Sequence, residues 1–366
     1  MKKICIITNI PSPYRVDLFN YLIENFREYN FKIIYSSTSE DDRGWNLDLN
    51  KLKNSHFLKS KSIVIKEKLD NKHIHFSFKI KQYLKEYNPD IIIGCEYNPI
   101  SIVAYTWAKL NKKKYISWSD GTLNSEKNIN IIQKIIRKII CRNSDALIAS
   151  SSRTKEAQLR YGANKNKIFL SYLTINVDEY LYEKREFNNK NILFVGRLSK
   201  RKGLELLMNS LALLRCEYKL IIVGDGPYKK ELEKCSENLK INENILFKGA
   251  LNGKSLINEY RNADLFVIPS YVDCFGLVIS EAMSNSMPVI ASKYVDGAYD
   301  LIDDGLNGYI VDPENFDEFS NKIQYVLNDR KRVEIMGKYS YEKIQKFKFE
   351  EVHKGIIEAI EYVIKE

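Results

Sequence analysis

The sequence predicts an α/β protein made of two doubly wound parallel-sheet domains. Three observations predict it. The chain has 366 residues, more than one hydrophobic core ordinarily serves. Short apolar runs alternate with amphipathic segments of helix length, the pattern of βαβ units. The rhythm then restarts at residue 191, after the polar, charge-rich stretch NVDEYLYEKREFNNKN.

In the first half, strands are expected at 3–8 (KICIIT), 31–37 (FKIIYSS), 90–95 (DIIIGC), 114–119 (KYISWS), 146–151 (ALIASS) and 167–172 (KIFLSY). Helices are expected between them at 14–28, 75–87, 98–111, 129–142 and 152–161. The second half repeats the pattern with strands at 191–196 (NILFVG), 219–224 (KLIIVG), 244–249 (NILFKG), 264–270 (DLFVIPS), 288–292 (PVIAS) and 308–312 (GYIVD). Its helices fall at about 204–214, 228–239, 253–262, 276–285 and 316–328. The expected domains are 1–180, 181–345 and a C-terminal helix, 346–366, crossing back to the first domain. Ligands of such sheets bind outside the carboxyl ends of the strands, so two sheets facing a central cleft would place the site in that cleft.

Composition narrows the class. Hydrophobic residues are 44% and charged residues 28%, a profile that fits a soluble globular chain and not a fibrous or disordered one. No apolar run approaches the roughly 18 residues of a membrane span. The opening MKKICIITNIPSP reads as a first strand rather than a signal peptide. Six cysteines without a CxxC pair favour reduced thiols and a cytoplasmic site. Residues 1–185 carry 32 Lys+Arg against 19 Asp+Glu, while the remainder carries 25 against 28. The basic half suggests an anionic partner, with nucleic acid, anionic membrane and phosphorylated substrate all open, unless it reflects only a Lys-rich composition bias.

Three segments carry chemistry. GRLSKRKG (196–203) follows a strand and opens a helix, so free backbone N–H groups and the positive helix end point at an anion. Arg197 and Lys202 add two cations; a solvated basic turn is the competing reading. The segment matches neither GxGxxG nor GxxxxGK[ST]. GDGP (224–227) ends the next strand, and Gly224 and Gly226 allow close backbone approach to a ligand or simply a tight turn. In SYVDCFGLVISEAM (270–283), Asp273 falls in a loop and Glu281 about 7.5 Å along the helix that Gly276 starts. Carboxylates accept from hydroxyls and repel phosphate, so this pair suits sugar and ribose hydroxyls. The alternatives are an N-cap for Asp273 and a surface helix position for Glu281.

GRLSKRKG, VGDGP, S-x-x-D-x-FG-L-x-x-x-EAM, PVIAS and DDGLNGYIV, in that order, resemble family 4 of the retaining GT-B-fold glycosyltransferases. The resemblance is specific over roughly 190–315 and rests on strand rhythm elsewhere. It implies the GT-B architecture of two Rossmann-like domains facing a central cleft. It also implies roles by position. Arg197 and Lys202 would hold the donor diphosphate and stabilise its departing charge. Glu281 would bind ribose hydroxyls and Asp273 the transferred sugar. Backbone at Phe275, Gly276 and Leu277 would touch sugar and phosphate. Gly196, Gly224, Gly226 and the segment ending at Gly249 would line the nucleoside pocket.

The sequence departs from that pattern in three places. Asp273 stands where the family usually has Glu, one methylene shorter. Ser286 stands where it usually has Gly; a left-handed residue there would cost on the order of 1 kcal/mol, unless Asn285 takes the bend. The His that many members place near the sugar has no counterpart, since His56, His73, His75 and His353 are badly placed for it. At the corresponding strand end, YISWSDG makes Asp120 the positional substitute, against a turn role in its DG pair. On the acceptor side the candidates are Tyr14 and Arg15, in the loop NIPSPYRVDLF, and Glu96, ending DIIIGCE. A local capping role for Arg15 is the alternative.

The helix INIIQKIIRKIICR (129–142) is amphipathic and basic. Packing its Ile stripe on the sheet is the favoured reading, and lying on an anionic bilayer the other. The expected enzyme transfers a sugar from a nucleotide diphosphate donor, UDP-linked on the resemblance, to a hydroxyl of a glycan or lipid-linked acceptor. It would need no cofactor or metal, since the chain has no Asp-x-Asp and no His cluster. The rivals are a nucleotide-sugar epimerase, disfavoured by sparse His, and a basic binding protein, for which no nucleic-acid-reading signature is present. The expected location is cytoplasmic, peripheral on the inner membrane face if the basic half meets lipid.

Overall fold

The computed structural model describes residues 1–39, 49–66, 71–182 and 190–366. Chain contacts divide it into two compact units, Met1–Asn176 with Phe349–Glu366, and Val177–Lys348. Part of the charge-rich stretch before the restart, residues 183–189, lies outside the described residues.

The strands of the first unit are β1 (Lys2–Thr8), β2 (Tyr29–Tyr35), β3 (Ser55–Phe57), β4 (Lys61–Lys66), β5 (Asn71–Phe76), β6 (Ile91–Cys95), β7 (Lys114–Ser119), β8 (Ala146–Ala149) and β9 (Ile168–Leu170). Seven form one parallel sheet in the order β3-β2-β1-β6-β7-β8-β9, while β4 and β5 form a separate antiparallel pair. The central strands are apolar on both faces, as a sheet covered on both sides requires. One face packs Phe19 and Leu22 of the helix Pro13–Asn25, and Ile356 and Ile360 of the helix Phe349–Lys365. Gly355 brings that last helix against β9, where an added Cβ would lie 2.0 Å from the Leu170 carbonyl oxygen. The other face packs Leu84 of the helix Lys79–Tyr87, Ala104 of the helix Pro99–Leu110 and Ile140 of the helix Ile131–Asn143.

The second unit contains β10 (Asn191–Val195), β11 (Lys219–Val223), β12 (Ile245–Gly249), β13 (Leu265–Ile268), β14 (Val289–Ser292) and β15 (Gly308–Val311). They form one sheet in the order β12-β11-β10-β13-β14-β15, paired in parallel throughout. Strand order reverses beside β1 and β6 in the first unit and beside β10 and β13 in the second. Such switch points open a crevice at the strands' carboxyl ends.

Every run expected as a strand becomes a strand of one of the two parallel sheets. Strands β3, β4 and β5 were not expected, and three helices differ from expectation. The expected helix 75–87 begins only at Lys79, because residues 71–76 pair with 61–66, Ile63 facing Ile74. That pairing is cross-strand and invisible to helical spacing. The helix Arg330–Ile344 has sparse apolar spacing and buries Val333, Met336 and Ile344. Its Gly337 approaches the Ser286 carbonyl, which an added Cβ would reach at 2.1 Å. The third correction concerns the Ile stripe of Ile131–Asn143. Ile140 is buried and Ile136 packs partly inward, but Ile131, Ile132, Ile135 and Ile139 are 70%, 64%, 49% and 48% exposed. The inward side is taken by Ile140, Cys141 and Arg137, whose Nε donates to Glu126 at 2.6 Å.

Ser286 takes the bend after the helix Leu277–Ser284, with φ 53, while Asn285 stays at φ −97. Its hydroxyl donates to the Tyr182 carbonyl at 2.8 Å. All six cysteines are free thiols. Among the described residues, no helix is long and apolar enough to cross a membrane.

Candidate active site

In the second unit, the loops after β10 and β13 are joined. Lys202 Nζ donates to Asp273 Oδ2 at 2.6 Å, with the two side chains only 13% and 15% exposed. The Tyr271 amide donates to the Arg201 carbonyl at 2.9 Å, and Arg201 Nη1 donates to the Val272 carbonyl at 3.2 Å. Gly203 permits this closeness: its φ is 64, and a Cβ there would lie 2.4 Å from the Pro269 carbonyl oxygen. Two motifs that stand 71 residues apart in the chain thus form one surface at the switch point.

Asp273 divides its two oxygens. Oδ2 holds Lys202, and Oδ1 accepts from the Phe275 and Gly276 amides at 3.3 and 3.0 Å. Asp273 is not the N-cap of the following helix, a place Gly276 takes; it ties its own loop to Lys202 instead. Burial raises its pKa, but Lys202, Arg201 and the Phe275 amide outweigh that and hold it down at about 2. The loop is pinned from β14's side, where Asp273 donates its amide to the Tyr294 carbonyl and its carbonyl accepts from the Asp296 amide. The Phe275 ring is buried, and Leu277 begins the helix.

Arg197 lies half-buried in the same β10 loop. Gly224 and Gly226 bring the β11 loop onto it. An added Cβ on Gly224 would lie 1.9 Å from the Gly196 carbonyl oxygen, and on Gly226 2.3 Å from that of Leu198. The Leu198 amide donates to the Asp225 carbonyl at 2.9 Å. The close approach those glycines permit is thus to a neighbouring loop. The Gly249 carbonyl accepts from the Gly224 amide at 2.8 Å, which places the end of β12 beside them.

Glu281 is a half-buried helix residue with a dedicated partner, and the surface alternative fails. The Tyr260 hydroxyl donates to its Oε2 at 2.5 Å, from the helix Gly253–Asn262. Burial raises the Glu281 pKa to about 7, against the lowering effect of Tyr260. Tyr260 and Arg201 were not expected at the site. Their helix and loop positions carry no local signal, because each is defined by a partner distant in sequence.

In the first unit, three expected residues meet at the carboxyl ends of β1, β6 and β7. Arg15 Nη2 donates to Asp120 Oδ1 and Oδ2 at 2.7 and 2.9 Å, so the local capping role for Arg15 fails. Its guanidinium lies 4.2 Å over the Trp118 ring and 5.9 Å from that of Tyr14. Ser150 donates to Asp120 Oδ1 and accepts from Trp118 Nε1 at 2.9 Å. Glu96 Oε1 accepts from the Asp120 amide at 2.6 Å. Burial and the Asp120 charge raise the Glu96 carboxyl well above the ordinary range, to about 8. Its backbone is left-handed, with φ 62, a conformation non-glycine residues adopt at a cost and often at functional sites. Ser150 and Trp118 were not expected here; the strand-end positions YISWS and ALIASS were their only trace.

Among the described residues, no group of three or more His, Cys, Asp or Glu side chains could hold a metal ion. Two doubly wound parallel units, each with polar loops gathered at its switch point, define a protein of GT-B fold. Comparison with known proteins gives the family. The model described as glycosyl transferases group 1 matches residues 182–343, and that described as glycosyltransferase family 4 matches 45–179. The chain belongs to the group 1, family 4 glycosyltransferases.

Among curated relatives, it is 35% identical over 159 residues to the sulfoquinovosyl transferase SQD2 of Arabidopsis thaliana, covering 43% of this chain and 30% of that protein. It is 27% identical over 271 residues to the lipopolysaccharide 1,6-galactosyltransferase of Salmonella typhimurium, covering 70% of each. The chain thus spans about a third to two thirds of the length of such relatives. Among solved structures, Anabaena Alr3699/HepE in complex with UDP shares the fold with a TM-score of 0.80 and 19% identity, covering 99% of this chain and 100% of that one.

Proposed function

We propose that this protein transfers a sugar from a nucleotide diphosphate donor, a UDP-sugar, to a hydroxyl of a glycan or lipid-linked acceptor, with retention of configuration. The observation that carries the reading is the Lys202–Asp273 contact, which joins the β10 and β13 loops at a switch point. It sets a cation and a sugar-competent carboxylate side by side in a half-dry setting. The names of the relatives support cell-surface glycan assembly, the Salmonella protein being a lipopolysaccharide galactosyltransferase. The UDP complex of the Anabaena protein supports a uridine donor.

Departure of a nucleoside diphosphate concentrates negative charge on its phosphate oxygens. Lys202 and Arg197 would meet that charge with preorganised donors, which act most strongly where water is excluded. A lysine ammonium has three donors, and Asp273 uses one, so the ammonium is oriented while others face a phosphate. Asp273 is then a positioning group, tied to its loop amides and to Lys202, rather than a nucleophile. The family resemblance implies same-face attack, with the departing phosphate helping to take the acceptor proton, and a positioning role for Asp273 is compatible with it. Glu281, half-buried against Tyr260, would accept from ribose hydroxyls. In the first unit, Asp120, oriented by Arg15 and Ser150, would meet the sugar, with Tyr14 and Glu96 toward the acceptor. No metal takes part in this reading.

The test is a thermal-shift screen with UDP-, GDP- and ADP-sugars, followed by turnover with the stabilising donor. A donor that binds the folded state raises the melting temperature by mass action. Turnover should persist in excess EDTA; loss of turnover restored by Mg²⁺ would overturn the metal-free reading. No shift with any nucleotide sugar would overturn the donor assignment.

A further inference from the structure

Among the described residues of the first unit, a broad exposed apolar stripe lies on the helix Ile131–Asn143, whose side chains take no part in the proposed chemistry. At about 100° per residue, Ile131, Ile135, Ile139 and Ile132 fall within an arc of roughly 100°. All four are about half exposed or more. Lys134, Lys138 and Arg142 are exposed along one edge of that arc. Between residues 121 and 144 the only acid is Glu126, and it is buried against Arg137 and Tyr161. The exposed charge of the segment is therefore wholly cationic. The helix is rigidly set: Asn130 and Gln133 form a capping box at its start, and Ile140 and Cys141 anchor its inner side.

We infer that this helix docks the protein on an anionic bilayer, its isoleucines entering the boundary between headgroups and acyl chains and its cations meeting lipid phosphates. A single convex helix face with a broad aliphatic stripe, flanked by cations and no exposed acid, suits a planar anionic surface. A second copy of the same face would set like charges together, which disfavours self-association. The inference stands apart from the proposed transfer reaction and is tested without it.

The experiment is flotation of the full chain with vesicles of phosphatidylcholine alone or mixed with phosphatidylglycerol. Wild type should float with the anionic vesicles at least about 10-fold more than with the neutral ones, and raised salt should weaken this. Ile132→Glu with Ile135→Glu should abolish flotation while leaving the melting temperature within a few degrees. Lys134→Glu with Lys138→Glu should remove the preference for anionic lipid. Equal flotation of the isoleucine variant, or no flotation of wild type, would overturn the inference. A concentration-dependent dimer lost in the isoleucine variant would assign the face to a second copy and also overturn it.

Discussion

Arg15 and Asp120 stand 105 residues apart and share one half-buried contact, a single guanidinium nitrogen 2.7 and 2.9 Å from the two carboxylate oxygens. The pair joins the first turn of the helix Pro13–Asn25 to the loop after β7. Its guanidinium also covers Trp118, so the arginine is held by a charge and by a ring.

Removing Arg15 takes the cation from a half-buried carboxylate, which keeps only the hydroxyl of Ser150 as its side-chain donor among the described residues, and empties a buried place against Trp118. Arg15→Ala should cost about 3 kcal/mol, and Arg15→Lys should recover little, since an ammonium cannot spread over Trp118 as a guanidinium does. Arg15→Met combined with Asp120→Asn should restore a large part of the stability. Urea denaturation of the four proteins gives the coupling; additive effects would show that the pair does not hold the loops.

Lys202→Ala should lower turnover by about 10²-fold or more, as expected for one preorganised donor facing a developing charge. Arg197→Ala should do the same. Asp273→Glu moves the carboxylate one methylene outward and should loosen its hold on the Phe275 and Gly276 amides. A changed ranking of donors in that variant places Asp273 at the sugar. Unchanged donor ranking with a lowered melting temperature would leave it as a loop cap.

The same residue predicts an acid limb. Its folded-state pKa of about 2 lies below the ordinary carboxylate value of 3.8, so its contribution is present at neutral pH. That contribution, on the order of 2 kcal/mol, should be lost as pH falls from about 4 toward 2. Asp273→Asn should flatten that part of the stability-versus-pH curve. Parallel curves for wild type and variant would remove the assignment.

Glu281 titrates in the opposite sense. Its folded-state pKa is raised from 4.5 to about 7, so holding it ionised costs the fold stability as pH rises through that interval. Glu281→Gln should therefore melt higher than wild type at pH 8 and no higher at pH 4. It should also weaken nucleotide-sugar binding. Tyr260→Phe, which removes the hydroxyl at 2.5 Å, should raise the Glu281 pKa further, visible as a shift in the pH dependence of donor binding.

Ser286→Gly sets one gain of about 1 kcal/mol against two losses of about that size or less. Glycine relieves the left-handed strain at φ 53 but gives up the hydroxyl bond to Tyr182 and a stiffer unfolded chain. The melting temperature should change little. Ser286→Ala keeps the strain and loses the bond, and should destabilise by roughly 1 kcal/mol.

The sequence by itself determined twelve of the fifteen described strands, all but β3, β4 and β5, and the loops that carry the candidate residues. Burial on both faces makes parallel strands continuous apolar runs, and such runs are legible one at a time. GRLSKRKG, GDGP and SYVDCFGLVISEAM follow those runs, so their place at strand ends was legible too. Tertiary structure alone decided which residues meet. Arg15 finds Asp120, Lys202 finds Asp273 and Tyr260 finds Glu281 across 105, 71 and 21 residues. No local period encodes those pairings, because they follow from how the strands are ordered in each sheet. The same holds for the isoleucines of Ile131–Asn143. Periodicity says that a helix has an apolar side, but only packing decides which side faces the core. Here a buried Arg137–Glu126 pair took part of the inner face and left four isoleucines in solvent.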